Sequence, residues 1–219
     1  TIGYPHLNVK LGATHAGISV GEDGATHQCN EDIALMRAIP GMTVIVPCDD
    51  IEARQAVFAA AEIKGPVYLR FGRLAVPVIN DESYKFEVGK AVELKKGDDV
   101  TIIATGLMVS RALDAAKMLE ENKGIHARVI NMHTIKPIDK EAIIKAAKET
   151  KAIITVENHN IIGGLGSAVS EVLCENCPCI LKRLGAKDRF GEVGDLAYLK
   201  KTFGVSYDDI KEAVLEMKS

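Results

Sequence analysis

Along the first third of the chain, short apolar segments alternate with stretches of helical period. Leu7, Val9 and Leu11 alternate with polar positions and predict a strand over Leu7–Ala13, which delivers Thr14 and His15 at its C-terminal end. Asn30 stands as an N-cap for a helix over Glu31–Ile39, with Glu31 and Asp32 at its positive end and Pro40-Gly41 to stop it. Met42–Val46 is a continuous apolar run of the kind buried on both faces of a parallel sheet. Pro47 closes that run and Asp49 or Asp50 caps the next helix, in which Ala53, Ala56, Val57 and Ala60 fall at i, i+3, i+4 and i+7 and predict one core face. Gly65-Pro66 ends the helix before a strand over Val67–Phe71.

Leu74–Val88 contains Pro77 and Asn80-Asp81 and shows little period, so it reads as a linker. Alternation then resumes: strand Val100–Ala104, helix Leu107–Glu121 with the stripe Val109, Ala112, Leu113 and Ala116, strand Ala127–Asn131, helix Ile138–Thr150 and strand Ala152–Val156. A helix after Gly166, a strand over Ile180–Leu184 and two short C-terminal helices follow, with Ser206 and Asp209 resembling a capping box. Strands alternating with helices without hairpin signals predict an α/β fold with mainly parallel sheets and right-handed crossovers. The expected division is a first domain over 1–77, a linker over 78–90 and a separate α/β domain over 91–219.

The chain has 219 residues, 47% hydrophobic and 26% charged, enough apolar material for a real core. A formal charge of −3 and a pI near 6.1 supply no basic field for nucleic acid. Apolar runs fall short of the roughly 20 residues that span a bilayer, and no signal-peptide pattern opens the sequence, so the expected location is cytoplasmic. Of five cysteines, Cys174, Cys177 and Cys179 cluster; structural zinc takes four ligands and no second cluster follows, so reduced structural thiols are expected, as for Cys29 and Cys48. Because Thr1-Ile2-Gly3-Tyr4-Pro5 leads at once into a strand pattern, a preceding piece is expected to be missing.

The densest chemistry lies in Gly21-Glu22-Asp23-Gly24-Ala25-Thr26-His27-Gln28, with His15 twelve residues before His27. Imidazoles exchange protons near neutral pH, so His15 and His27 suit proton transfer to and from hydroxyl or carbonyl oxygens. Asp23 can orient an imidazole, accept a hydroxyl hydrogen bond, or simply serve its own turn; Glu22 can be solvated. Arg70 and Arg73 leave a strand end, where a guanidinium fork suits a phosphate or equally a surface ion pair. Ligands of parallel sheets gather at such strand ends. Gly163-Gly164-Leu165-Gly166 opens a helix and reads as close packing before an anion site, Glu157 and His159 form a weak second site, and His6, His126 and His133 read as structural.

From Thr14-His15-Ala16-Gly17 through Gly21-Glu22-Asp23-Gly24 and Thr26-His27-Gln28, the sequence resembles transketolase. The resemblance continues in Glu31–Arg37, Ile39-Pro40-Gly41, the Arg70-x-x-Arg73 strand end, Thr134-Ile135-Lys136-Pro137, and Val156-Glu157-Asn158-His159-Asn160 with the following Gly163-Gly164 turn. It implies the later part of a pyrimidine-binding domain followed by a transketolase C-terminal domain. By resemblance, His15 contacts oxygens at the reacting carbon, Asp23 holds the C2 hydroxyl of the donor, His27 bonds the C1 hydroxyl and takes part in proton transfer, and Arg73, with Arg70 less closely matched, binds the sugar phosphate. Ala16 stands where several transketolases carry Asp.

The implied activity is reversible transfer of a two-carbon ketol unit from a ketose phosphate to an aldose phosphate, in the pentose phosphate pathway. Thiamine diphosphate and Mg2+ are the implied cofactors, with the diphosphate and metal held mainly by a partner N-terminal subunit, since no Gly-Asp-Gly…Asn motif occurs. The glutamate and the stacking aromatic that open the pyrimidine domain are also expected to be absent, leaving cofactor-binding residues of this chain undefined. A homodimer or heterotetramer is implied. The rival enzymes are 1-deoxyxylulose-5-phosphate synthase, which Glu22 disfavours, and the beta subunit of 2-oxo acid dehydrogenases; the non-enzymatic rival is a dimerisation or docking module.

Overall fold

The computed structural model describes residues 1–150 and 152–218. In the first region, β1 (Lys10–Ala13), α1 (Asp32–Ala38), β2 (Thr43–Ile45), α2 (Asp50–Glu62) and β3 (Val67–Arg70) follow one another, with two 3-10 turns, Gly17–Asp23 and Ala25–His27, between β1 and α1. The second region runs β4 (Val92–Lys95), β5 (Val100–Ala104), α3 (Met108–Lys123), β6 (Ala127–Asn131), β7 (Thr134–Lys136), α4 (Lys140–Thr150), β8 (Ala152–Asn160), α5 (Leu165–Asn176), β9 (Ile180–Ala186), α6 (Leu196–Thr202) and α7 (Tyr207–Lys218). Two sheets result, in the orders β1-β3-β2-β7 and β4-β6-β5-β8-β9. Both are mainly parallel, as the alternation of elements requires; β7 and β4 are the antiparallel members.

Period two decides which residues meet which layer. Val100, Ile102 and Ala104 of β5, with Ile154 and Val156 of β8, face a core made with Met108, Ala112, Leu119, Leu199 and Val214 of α3, α6 and α7. The intervening Ile103 and Ile153 face the opposite way, into a core that contains Ile143 of α4, Val169 of α5 and also Ile33, Val44 and Tyr68 of the first region. The two sheets therefore share their central layer. A smaller core, Ile45, Ala56, Ala60, Val67 and Leu69, lies under α2. Each fully buried Ile or Leu contributes about 1.5–3 kcal/mol relative to exposure, so the shared layer binds the two regions firmly.

Several expectations are corrected. The first strand begins at Lys10, because Leu7 is 44% exposed and the chain before it is taken up by turns. Asn30 does not cap α1: Glu31 occupies that position without a side-chain cap, and the Asn30 side-chain oxygen has no partner. On α2, Ala56 and Ala60 are buried while Val57 is 47% exposed, so the core stripe is narrower than the spacing implied. Asp49 does cap α2, its Oδ1 accepting the Glu52 N–H at 2.8 Å. β7 leaves the second region to pair with β2, and Lys136 Nζ donates to the carbonyls of Arg37 and Ile39 at 2.8 and 2.7 Å. Among the described residues, no helix is long and apolar enough to cross a membrane.

Candidate functional site

β1 and β3 run parallel in register, Ala13 opposite Arg70, so both deliver their following residues to the same end of the sheet. Beyond β1 the chain enters Thr14 and His15; His15 adopts φ +65°, a left-handed conformation uncommon for a side chain with a Cβ. The next residue, Ala16, donates its N–H to Phe71 O at 3.2 Å and forms a parallel bridge with Cys29. That bridge lays the segment bearing His15 beside the one bearing His27. Both imidazoles are exposed, each held at Nδ1 by the hydroxyl of the preceding threonine: Thr14 to His15 at 2.9 Å and Thr26 to His27 at 3.1 Å. Nε2 of each ring has no hydrogen-bond partner among the described residues.

Asp23 ends the first 3-10 turn. Its Oδ2 lies 3.4 Å from Nε of Arg73, the two side chains being 38% and 41% exposed, and Arg73 NH1 also donates to Val20 O at 3.3 Å. A pair this exposed contributes at most about 1 kcal/mol, so a hydroxyl and a phosphate can displace the two groups from each other. His15, Asp23, His27 and Arg73 thus all carry exposed side chains on the segments that follow β1 and β3, and Asp23 and Arg73 join the two segments.

Arg70 is different, and its expected place in the ligand set is corrected. The side chain is 3% exposed; Nε donates to Asp32 Oδ2 at 2.7 Å, and NH2 donates to Asp32 Oδ1, Cys29 O and Asn158 O, each at 3.0 Å. Tyr68, two residues earlier on the same face of β3, donates its hydroxyl to Asp32 Oδ2 at 2.7 Å. Burial raises the carboxyl pKa of Asp32, but the Arg70 charge and hydrogen bonds outweigh it and hold the pKa below the ordinary value. Arg70 therefore joins α1, β3 and β8, with its guanidinium committed to Asp32 and two carbonyls.

The glycine-rich turn before α5 is also filled by the chain itself. Glu157, fully buried on β8, accepts the N–H groups of Leu165 at 2.6 Å and Gly166 at 2.8 Å, putting a carboxylate where an anion would sit. His159 donates from Nδ1 to Asn160 O at 2.6 Å, and its Nε2 lies 3.4 Å from the Ala34 nitrogen, so the ring sits at the junction of β8 and α1. Glu157 and His159 are thus framework groups. So is His133, whose ring lies 4.4 Å from Phe86 and whose pKa burial pushes down. Cys177 and Cys179 pack partly against the shared core, whereas Cys174 is exposed.

Two residues that the sequence reading did not single out support the segment after β1. Asn158 accepts the Ile18 N–H at 3.0 Å and donates to Ala16 O at 3.2 Å and Ser19 Oγ at 3.3 Å. Gly17, at φ +67°, is pressed so closely on Asn158 that a Cβ there would overlap it. Gln28 pairs with the main chain of Glu192 across 164 residues of sequence. The available signal was a polar run, Glu157-Asn158-His159-Asn160, continuing a strand that begins Ala152-Ile153-Ile154.

Residues 3–78 match the family model described as "Transketolase, pyrimidine binding domain", and residues 89–210 match "Transketolase, C-terminal domain". Over 218 residues the chain is 50% identical to the "Putative transketolase C-terminal section" of Methanocaldococcus jannaschii, covering 98% of this chain and 68% of the relative. It is 46% identical over 217 residues to the "6-deoxy-6-sulfo-D-fructose transketolase subunit SqwH" of Clostridium sp. (strain MSTE9), covering 99% and 67%. A solved structure described as "Split gene transketolase, inactive beta4 tetramer" superposes with a TM-score of 0.89 at 48% identity, covering 98% of this chain and 68% of that one. The chain spans about two thirds of the length of these relatives.

Proposed function

Because this chain belongs to the transketolase family, we propose that it is the sugar-facing, C-terminal part of a two-chain enzyme that moves a two-carbon ketol unit reversibly between phosphorylated sugars. The observation that carries this reading is the contact between the two strand-following segments: the segment after β1 exposes His15, Asp23 and His27, and Asp23 pairs at 3.4 Å with Arg73 from the segment after β3. The family's dependence on thiamine diphosphate supplies the carbon chemistry. Two groups of this chain that could receive a diphosphate are already engaged within it. The buried cation nearest the strand ends, Arg70, is committed to Asp32, and the amides opening α5 are committed to Glu157. We therefore assign the diphosphate and Mg2+ mainly to an N-terminal partner chain, in a homodimer or heterotetramer, with residues 1–77 and 91–219 as the two domains and 78–90 between them.

On this reading each residue has a stated task. Asp23 Oδ2 accepts the hydrogen bond of the donor's C2 hydroxyl, favouring one configuration. His27 holds the C1 hydroxyl and exchanges a proton through Nε2, the nitrogen that Thr26 leaves unpaired. His15 faces the oxygens at the reacting carbon, with its Nδ1 held by Thr14. Histidine exchanges protons in both directions near neutral pH, as a reversible transfer requires. Arg73 swings from Asp23 to the sugar phosphate, an exchange of one charge-assisted contact for a stronger one.

The test is substrate selectivity in the enzyme assembled with its partner chain. Arg73→Ala is expected to lower kcat/KM for phosphorylated sugars by about tenfold or more, through KM, and to leave unphosphorylated sugars nearly unchanged. An equal loss for both classes would remove Arg73 from the phosphate role.

A further inference from the structure

The loop that carries Asp23 and His27 consists of two 3-10 turns without a side-chain cap at the start of either. Within the loop the main-chain bonds are short-range, Gly24 N to Gly21 O at 3.1 Å, His27 N to Gly24 O at 3.0 Å and Gln28 N to Ala25 O at 3.3 Å, and Gly17 N to Cys29 O at 2.8 Å closes its base. Gly24, at φ +82°, divides the turns with a conformation that side chains rarely adopt. These bonds give the loop a shape, and Ala16 N to Phe71 O at 3.2 Å, Arg73 NH1 to Val20 O at 3.3 Å and Arg70 NH2 to Cys29 O at 3.0 Å tie it to β3 and the residues after it.

Two further anchors come from the second half of the chain. At its leading end, Asn158 of β8 holds Ala16, Ile18 and Ser19 through three hydrogen bonds. At its trailing end, Gln28 donates from Nε2 to Glu192 O at 2.8 Å and accepts the Glu192 N–H at Oε1 at 3.1 Å, an amide-to-backbone pairing that satisfies both groups of one residue. Val193 lies over the loop, its Cγ2 2.8 Å from where a Cβ of Gly24 would be, and Gly191 is so close to Gln28 that a Cβ there would overlap the side chain. The holding segment is itself braced. Tyr198 donates its hydroxyl to Glu192 Oε2 at 2.9 Å, Arg189 pairs with Glu192, and the Arg189 guanidinium lies 4.7 Å from the centre of the Phe203 ring.

We propose that Gln28 and Asn158 are positioning residues, through which the C-terminal domain sets the Asp23–His27 loop in register with the substrate; this rests on the sugar-site reading above. The C-terminal domain is then part of the site's frame. A displacement of about 1 Å at a reacting group can cost on the order of a hundredfold in rate, and Gln28 spans the only side-chain-to-main-chain link between this loop's trailing end and residues 187–194 among the described residues.

The test has two arms. In the full chain, amide hydrogen exchange is followed at Glu192 and over residues 24–28 for the native protein, Gln28→Ala and Gln28→Glu. With the partner chain, thiamine diphosphate and Mg2+, kcat and KM for a ketose phosphate donor are measured for the same three proteins. Gln28→Ala is expected to lose protection at Glu192 and to lower kcat by about ten- to a hundredfold, with circular dichroism unchanged. Gln28→Glu keeps an acceptor for the Glu192 N–H but sets a carboxylate against the Glu192 carbonyl; protection is expected to be weak at neutral pH and to return as the pH falls and the carboxyl gains its proton, a dependence the native protein lacks. Unchanged protection in both variants would overturn the clamp, and lost protection with native kcat would overturn the positioning role. If the native mixture transfers no ketol unit, the sugar-site reading falls, and the exchange arm alone decides whether Gln28 holds the loop.

Discussion

A guanidinium enclosed by one carboxylate and two carbonyl oxygens has no water to fall back on, and Arg70 is in that position. Removing one partner of a buried ion pair strands the other, at a cost of about 3–5 kcal/mol. Arg70→Met should therefore lower stability to urea by that amount, leaving Asp32 with only the Tyr68 hydroxyl; a loss below about 1 kcal/mol would show that the pair contributes little net. The same residues give the pH dependence of stability. Burial pushes the His133 pKa down, so the unfolded chain takes up a proton first, and stability falls as the pH drops below about 6.5, the unfolded value. The Asp32 and Asp49 carboxyls are also held low, Asp32 by Arg70 and Asp49 by the amides of Asn80, Glu52 and Ile79, each against the opposing effect of burial. Their contribution is full above about 3.9 and is lost as the pH falls further. Thermal melts should show two descending steps, and His133→Gln should abolish only the one that begins near neutrality; a native profile flat between about pH 7 and 5 would contradict the assignment.

What the residues alone revealed depended on whether their partners were near in sequence. Asp49 as a cap and Ser206 with Asp209 as a capping box act over three residues, and both were legible. Arg70 sits at a readable strand end, but its direction depends on Asp32, 38 residues away, and on the carbonyl of Asn158. Tyr68 and Arg70 at i and i+2 were the one clue that the arginine points along a buried face.

At the scale of elements, continuous apolar runs were the surest guide. Val100–Ala104 and Ala127–Asn131 form strands over the expected residues because both faces of each are buried. β4 and β7 escaped notice: they hold four and three residues, too few for alternation to register, and are stabilised by antiparallel pairing with β6 and β2. β7 matters most, because it carries a strand from the second region into the first region's sheet. The turn at Gly163-Gly164 was read correctly as close packing, but the reason lies in Glu157, whose carboxylate takes the amides at the start of α5.

At the scale of the molecule, the two regions share a core layer, a strand and the loop that carries the candidate site. The signature residues around Asp23 and His27 carry exposed side chains, and the structure adds that Asp23 pairs with Arg73 and that residues 192–194 lie against the loop. The most direct measurement is ketol transfer from xylulose 5-phosphate to ribose 5-phosphate, assayed with this chain alone and with this chain mixed with an N-terminal partner chain, thiamine diphosphate and Mg2+. The account predicts no turnover by the chain alone and turnover by the mixture; transfer by the chain alone, or none by the mixture with any phosphorylated ketose donor, would contradict it.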